Sequence, residues 1–244
     1  MVPPERAEAA RALMLELFPE GFEERDAADG LELLAYTDPS GEERLWAAFG
    51  RVTSEPVAAG WEERWRQFHR PVRIGPLWVG PPWERPDRGP AVTIDPGRAF
   101  GTGAHPTTRL CLELLVGLRP TSLLDVGCGS GVLSVAAAKL GFEPVVALDH
   151  DPAAVEATRR NAAANGVLLD VRVGNALSER LPRTAVMVAN VTGDLIRGLA
   201  GRVSADAVIA SGYLEPDRPE LPGFVRAKRC VAEGWAADLF RREE

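Results

Sequence analysis

Three glycines at alternate positions follow an acidic residue near the middle of this 244-residue chain. The stretch 122–131 reads S-L-L-D-V-G-C-G-S-G, with Asp125 two residues before the first of Gly127, Gly129 and Gly131. An apolar run precedes the glycines and a helical pattern follows them, so the sequence predicts a strand, a glycine turn and a helix. Glycine lacks a Cβ, and such a turn therefore lets a ligand approach the backbone closely and presents free N–H groups at a helix N-terminus.

The spacing of these glycines separates two classes of ligand. The dinucleotide fingerprint is G-x-G-x-x-G and places a pyrophosphate at the helix end. Here the spacing is G-x-G-x-G, and the Asp125 carboxylate would repel a pyrophosphate and pair with an ammonium group. A nucleoside that carries a zwitterionic amino-acid tail, such as S-adenosylmethionine, fits this turn better. The alternative is a tight turn that binds no ligand.

A second acid ends the next predicted strand. Asp149 lies 22 residues after Gly127, where an acid in a doubly wound sheet accepts hydrogen bonds from ribose hydroxyls. His150 follows it directly and is placed with it in the expected cofactor site. Asp151, just before a helical pattern, is interpreted as the N-cap of that helix.

Two later strand ends complete the expected site. Asn175 and Ala176 follow the third strand, at the rim where an adenine ring would lie, and a side-chain amide or a backbone N–H there could meet its edge. A plain turn is the alternative interpretation. Asn190 ends the fourth strand, and because ligands bind at the carboxyl ends of parallel strands near a switch point, we expect it to face the destination of a methyl group.

A loop with two glycines precedes the first helix of this region. Residues 100–108 read F-G-T-G-A-H-P-T-T, so Phe100 and His105 lie on the loop while Thr107 and Thr108 lie in the first helical turn. The proline fits the first helical position. We expect a loop that is mobile or lies close against a ligand, in which His105 is either a base or ligand contact, or a structural residue at the helix start.

The elements that position these residues alternate between strand and helix. This alternation predicts an α/β fold with a mostly parallel sheet covered on both faces. Residues 225–231 and 235–241 read as an antiparallel hairpin, which is typical of the seven-stranded, Rossmann-like methyltransferase sheet. We therefore predict such a sheet in a domain spanning 91–244.

The chain before residue 91 differs in character. Residues 1–58 predict a small α+β domain with a helix, two strands, a turn at 38–41 and a third strand at 44–52. Residues 59–90 interleave tryptophans, arginines and prolines. This pattern is compatible with a nucleic-acid stacking platform, but the prolines favour a packed linker.

Charge and composition limit the classes of partner. Residues 1–60 contain 13 acids and 5 bases, whereas the rest contains 22 acids and 23 bases, so the net charge of −7 belongs to the N-terminal segment. Such a segment would attract a basic partner and repel nucleic acid, or would only aid solubility. We expect no direct nucleic-acid binding, no membrane association, a monomer and, without a signal peptide or apolar span, a cytoplasmic protein. The three scattered cysteines predict reduced thiols and no metal site.

Several motifs together resemble the ribosomal protein L11 methyltransferase family of the PrmA type, over roughly residues 60–244. The 100–108 stretch is similar to that family's F-G-T-G-x-H-x-T-T loop, 125–131 to its D-V-G-C-G-S-G, 189–191 to its A-N-I/L segment, and 211–212 to its late S-G pair. The resemblance implies methyl transfer from S-adenosylmethionine, with S-adenosylhomocysteine as product, to lysine side-chain and N-terminal amines of a large-subunit ribosomal protein. It also implies that the N-terminal domain recognises this substrate.

The motifs and the resemblance together predict two groups of site residues. The predicted catalytic residues are Asn190, Phe100 and His105. The predicted cofactor contacts are Thr107, Thr108, Asp125, Gly127, Cys128, Gly129, Gly131, Asp149, His150, Asn175, Ala176 and Asn190. Amide and adenine methylases usually carry N-P-P-Y at the fourth strand's end, and 190–193 read N-V-T-G. Another protein lysine or a small amine stays open as substrate, as does a cofactor-binding module without turnover.

Overall fold

The described part of the chain divides into two compact units. The computed structural model describes residues 2–3, 6–7, 10, 13–14, 17–18, 22–27, 30–35, 37, 39–55, 70–84, 86, 88–95 and 103–243. The units are Met1–Glu62 and Glu63–Glu244. The predicted domain ranges 1–58, 59–90 and 91–244 stay predictions.

The first unit contains a hairpin and a helix. Strands β1 (Glu23–Ala27) and β2 (Gly30–Leu34) pair antiparallel, as the sequence predicts, and helix α1 spans Pro39–Phe49. The turn predicted at 38–41 and the strand predicted at 44–52 are wrong. Proline suits the first position of a helix, and the less exposed positions of α1, at 41, 42, 45 and 49, are linked by spacings of three and four, which is the helical and not the strand period.

A small sheet opens the described part of the second unit. Strands β3 (Val72–Ile74) and β4 (Leu77–Gly80) are antiparallel, and β4 pairs in parallel with β5 (Ala91–Thr93). The sequence predicted no strands in 59–90, because three- and four-residue strands between prolines give no measurable period. Trp78 is buried, so it supports the packed linker over a stacking platform; residues 59–69 lie outside the described residues.

A seven-stranded sheet forms the centre of this unit, in the order β11-β12-β10-β9-β6-β7-β8. The five strands from β6 to β10 run parallel, and β12 is antiparallel to β10 and β11. The predicted fold class, including the C-terminal hairpin, is confirmed. The strands are β6 (Leu123–Val126), β7 (Val145–Asp149), β8 (Asp170–Val173), β9 (Val186–Asn190), β10 (Ala207–Leu214), β11 (Phe224–Ala232) and β12 (Trp235–Arg242).

Helices cover both faces of this sheet. They are α2 (Pro106–Val116), α3 (Val132–Lys139), α4 (Pro152–Asn165) and α5 (Gly193–Gly198). One apolar cluster joins the sheet to α2 and α3 and also takes in β3 to β5, while a second lies between the other face and α5. No helix among the described residues is long and apolar enough to cross a membrane. From β6 the chain builds the sheet outward through β7 and β8, and it then crosses back to form β9 on the other side of β6. The topological switch point therefore lies between β6 and β9.

Candidate functional site

The glycine turn after β6 lies at the switch point. Gly127, Gly129 and Gly131 have φ values of 73°, 55° and 81°, a region that disfavours side chains. A Cβ on Gly127 would lie 2.5 Å from Val191 Cγ1, and one on Gly131 would lie 2.8 Å from Thr158 Cγ2. Two of these glycines are therefore required by packing against neighbouring segments as well as by the turn itself.

The backbone of this turn is bonded within the protein. The N–H groups of Gly127 and Cys128 both donate to the carbonyl oxygen of Leu148, at 2.8 and 3.1 Å. The N–H of Gly129 donates to Asp149 Oδ2 at 2.9 Å. The expectation of free N–H groups is wrong at these three positions. These hydrogen bonds fix the shape of the turn.

Asp149 connects this turn to the next helix. Its side chain is 8% exposed, and its Oδ1 accepts from the N–H of Asp151 at 3.0 Å while its Oδ2 holds Gly129. A carboxylate oxygen accepts two hydrogen bonds, so each oxygen retains capacity for a hydroxyl. His150 is mostly exposed, with Nδ1 3.4 Å from Asp149 Oδ1. Asp151 accepts from the N–H of Ala153 at 2.8 Å, which confirms its interpretation as an N-cap.

Asp125 lies beneath the turn and is 1% exposed. Its Oδ2 accepts a hydrogen bond from Ser134 Oγ at 2.6 Å, whereas its Oδ1 has no hydrogen-bond partner among the described residues. Burial raises the pKa of this carboxyl to about 7; the Ser134 hydrogen bond opposes the shift and the charge of Asp149 adds to it. A buried carboxylate oxygen without a partner is costly, and a nearby cation would offset that cost.

The side chain of Cys128 is buried against α4. Its Sγ lies 3.3 Å from Thr158 Oγ1, and burial raises the pKa of the thiol to about 12. The thiol is therefore protonated at neutral pH and packs against α4. Thr158 also donates to the carbonyl oxygen of Gly129 at 3.0 Å, which ties α4 to the turn.

The structure brings the start of α2 to the end of β9. Asn190 Nδ2 lies 3.4 Å from Thr108 Oγ1 and donates to it, although the two residues are 82 positions apart. Thr107 and Thr108 are buried and Asn190 is half-buried. This polar pair therefore lies at the end of β9, where the sequence predicts the destination of the methyl group.

His105 is the N-cap of α2. Its Nδ1 accepts from the N–H of Thr107 at 3.3 Å and lies 2.8 Å from Thr107 Oγ1, and its ring meets Trp235 edge to face at 5.1 Å between centroids. Burial lowers the pKa of His105, as does the charge of Arg109, while Glu233 opposes the shift. These contacts favour the structural interpretation over a base. Phe100 lies outside the described residues.

Val191 and Gly212, which have no individually predicted role, complete this edge of the site. The N–H of Val191 donates to the carbonyl oxygen of Ser211 at 2.9 Å, and a Cβ on Gly212 would lie 2.2 Å from Val191 O. Gly212 has a φ of 101°, and the β10 register with β12 shifts between Ser211 and Tyr213. A glycine inside a strand pattern is the signal for such a bulge and close backbone approach.

The third strand's end is a turn held by a side chain. Asn175 Oδ1 accepts from the N–H of Leu177 at 2.9 Å, and the N–H of Asn175 donates to Glu179 Oε1 at 2.9 Å. The Asn175 amide therefore shapes the turn, in agreement with the plain-turn interpretation. Ala176 is buried at the rim.

Comparison with known proteins agrees with this arrangement. A sequence model of the family described as ribosomal protein L11 methyltransferase (PrmA) matches residues 22–220, most of the chain. The chain belongs to this family. Its PrmA-type segments 103–108, 125–131, 189–191 and 211–212 converge at the carboxyl ends of β6, β9 and β10, through Thr108–Asn190, Val191–Ser211 and the approach of Gly127 to Val191.

Individual PrmA relatives extend the match. A protein named ribosomal protein L11 methyltransferase from Geobacter sulfurreducens is 39% identical over 92% of this chain and 85% of its own length. One of the same name from Tolumonas auensis is 41% identical over 66% of this chain, and one from Nitrosococcus oceani is 44% identical over 57%. The chain spans 59% and 50% of the lengths of these last two relatives.

A solved PrmA-type structure shares the architecture. The ribosomal protein L11 methylase from Lactobacillus delbrueckii subsp. bulgaricus superposes with a TM-score of 0.62 and is 28% identical. The match covers 72% of this chain and all of that one.

Proposed function

We propose that this chain transfers methyl groups from S-adenosylmethionine to lysine side-chain and N-terminal amines of ribosomal protein L11. The observation that carries the proposal is the junction at the switch point. There Val191 packs against Gly127, while the neighbouring Asn190 donates a hydrogen bond to Thr108. Membership of the PrmA family and the names of the relatives support the same activity and substrate.

The groups around the glycine turn fit the proposed cofactor. The Asp149 carboxylate, nearly buried and still able to accept, suits the two hydroxyls of a ribose. Asp125 Oδ1, buried without a partner beneath the turn, would stabilise the ammonium of an amino-acid tail through its charge. The Ala176 backbone at the rim suits the adenine edge, because the Asn175 amide is engaged in its own turn. When bound, the cofactor supplies a methyl group activated by a sulfonium.

On the amine side, Asn190 would orient the substrate. Its Nδ2 points to Thr108, so its Oδ1 is the atom that accepts an N–H from the incoming amine and directs the nitrogen lone pair towards the methyl group. A lysine ammonium has an ordinary pKa of about 10.4, and burial lowers it so that the proton leaves to solvent before transfer. Alignment of this kind contributes about 7–11 kcal/mol to a bimolecular reaction. His105, already engaged as a helix cap, holds α2 in place and takes no proton.

The N-terminal segment would recognise the substrate. Residues 1–60 carry a net charge of −8, from 13 acids and 5 bases, and ribosomal proteins that bind RNA are basic. The opposite charges would steer the substrate to a monomeric enzyme in the cytoplasm. Raising the salt concentration should therefore increase KM for the protein substrate more than KM for the cofactor.

Methyl transfer from labelled S-adenosylmethionine into purified L11, followed by mapping of the modified residues, tests the proposal. Label in lysine side chains and the N-terminus of L11 is the expected result. Label in another protein of a ribosomal mixture, and not in L11, would identify a different protein lysine as substrate. Cofactor binding without label in any protein would contradict methyl transfer.

Asn190→Ala tests the amine site separately. We expect kcat to fall by about 10- to 100-fold, within the range that misalignment costs, while calorimetry shows nearly unchanged cofactor affinity. Thr108→Val is the matched variant, because it removes only the hydroxyl that fixes the amide and should reduce kcat by less. Wild-type turnover and substrate affinity in Asn190→Ala would rule out the role given to this amide.

A further inference from the structure

The turn between β11 and β12 contains a residue of unexpected type. Glu233 and Gly234 are its two central residues, with φ values of 52° and 76°, and Glu233 is the only non-glycine residue with positive φ in the described part of the chain. A two-residue turn of this kind favours asparagine, aspartate or glycine at its first central position. Glutamate there lacks a backbone reason, so the reason lies in its side chain.

The Glu233 carboxylate forms an ion pair with the guanidinium of Arg109. Arg109 is on the first turns of α2, 124 residues away in sequence, and its side chain is 30% exposed. The Glu233 side chain is 65% exposed, so the pair contributes little to stability, and its effect is to fix the position of the Arg109 side chain. The turn is thereby joined to the helix that carries Thr107 and Thr108.

A second contact joins the same two segments. Trp235, the first residue of β12, meets the His105 ring edge to face at 5.1 Å and an interplanar angle of 68°. Such aromatic pairs contribute beyond the area they bury. His105 in turn caps α2 through the N–H of Thr107, and its carbonyl oxygen accepts from the N–H of Arg109 at 3.1 Å.

These contacts lead directly to the amine site. His105 and Arg109, the two residues held by the hairpin turn, lie on either side of Thr108 in sequence. Thr108 Oγ1 is the group that receives Asn190 Nδ2. Movement of the first turn of α2 would therefore rotate or release the Asn190 amide.

We propose that Glu233 and Trp235 are positioning residues for methyl transfer, and that they act by holding His105 and Arg109 so that Thr108 fixes the Asn190 amide. This proposal rests on the proposed function. The C-terminal hairpin is then part of the catalytic apparatus as well as the edge of the sheet.

Glu233→Gly separates positioning from stability. Glycine removes the strain of a positive φ, so the melting temperature should stay equal or rise, whereas loss of the ion pair should lower kcat by about tenfold, a partial loss of alignment. Because the effect acts on the transition state, kcat and kcat/KM should fall together while KM for S-adenosylmethionine changes little. Glu156→Gln, which removes an exposed ion pair with Arg160 on α4, is the matched control and should leave kcat unchanged. Wild-type kcat in Glu233→Gly would overturn the proposal.

Rescue provides the second arm of the experiment. The double variant Arg109→Glu with Glu233→Arg should recover most of the activity that Arg109→Glu alone loses. Trp235→Phe, which keeps an aromatic ring on His105, should retain more activity than Trp235→Leu. Equal losses in all four variants would indicate a general folding defect and contradict a specific positioning role.

NMR signals distinguish failure of this proposal from failure of the proposed function. In Glu233→Gly the Asn190 side-chain amide and the His105 ring should shift, and the pKa of His105 should fall, because the Glu233 charge raises it. Unchanged signals would overturn the positioning role whether or not L11 is the substrate. Shifted signals in a protein that never methylates L11 would support the coupling and contradict the substrate instead.

Discussion

The two sides of the switch point are built in different ways. On the cofactor side, the turn and its supports come from residues 125–161, and the turn's contacts with Leu148, Asp149 and Thr158 lie within this one β-α-β-α stretch. On the amine side, the described groups come from four separate segments, 105–109, 190–191, 211–212 and 233–235. A local motif therefore specifies the first side, whereas only the complete topology specifies the second.

Val191 is where the two sides meet. Its Cγ1 would lie 2.5 Å from a Cβ on Gly127, and its carbonyl oxygen would lie 2.2 Å from a Cβ on Gly212. The contact with Gly127, on the cofactor side, is made by the Val191 side chain, which a substitution can shorten. The contact with Gly212, on the amine side, is made by the Val191 backbone, which a substitution does not remove.

This difference predicts unequal responses to the same substitution. Gly212→Ala should destabilise the protein by about 3–5 kcal/mol, because a Cβ 2.2 Å from Val191 O forces a backbone shift at a φ of 101°. Gly127→Ala should cost about 1–3 kcal/mol from its positive φ, plus the clash with Val191 Cγ1. Chemical denaturation of both variants measures the two free energies of unfolding.

Val191→Ala supplies the control. Combined with Gly127→Ala it should recover the part of the loss that comes from the side-chain clash, and combined with Gly212→Ala it should recover none. Equal recovery in both double variants would mean that Val191 does not separate the two sides in this way.

The next largest effect concerns Asp149. Asp149→Ala should weaken S-adenosylmethionine binding by about 1.5–3 kcal/mol, roughly 10- to 150-fold, because charged hydrogen bonds to ribose are lost. It should also lower stability, since the N–H groups of Gly129 and Asp151 lose their acceptor. Asp149→Asn keeps one acceptor oxygen, so its cofactor affinity measured by calorimetry should lie between those of the native chain and Asp149→Ala. Cofactor affinity equal to that of the native chain would place the ribose elsewhere.

The contrast between the two sides also explains what sequence could predict. The start of helix α4 was predicted from Asp151 as its N-cap and is observed there, because proline follows the capping aspartate; Gly166, at a φ of 63°, marks the end of the helix. The alternation of strands and helices likewise predicted the sheet. These signals act over a few residues, as does the glycine turn.

The features that sequence missed depend on distant partners or on very short elements. The residues near Glu233 do not predict its ion pair with Arg109, which lies 124 residues earlier. The residues near Val191 likewise do not predict its contact with Gly212. Helix α1 was mistaken for a strand because R-L-W-A-A-F is too short an apolar run to separate the two periods. In α1 the neighbouring proline was the stronger signal.

A further prediction concerns the charge of Asp125 on the cofactor side. Its folded pKa, raised by burial to about 7, lies above the ordinary value of 3.8, so the folded state holds this proton more tightly than the unfolded state. Stability from this group is therefore present below the ordinary value and is lost as pH rises towards about 7. The side chain of Asp125→Asn does not titrate, so the melting temperature of this variant should rise relative to that of the native chain as pH increases from about 4 to about 7. A difference that stays constant with pH would show that the carboxyl titrates normally.

Cofactor binding should reverse this penalty if Asp125 faces an ammonium group. The positive charge favours the carboxylate, so binding releases a proton and affinity should rise between about pH 6 and pH 7, by at most tenfold per pH unit. Calorimetry in buffers of different ionisation enthalpy counts the protons released, and Asp125→Asn should release none at this step. Because the N–H groups of the turn donate to Leu148 and Asp149, this change in charge should leave those backbone hydrogen bonds in place.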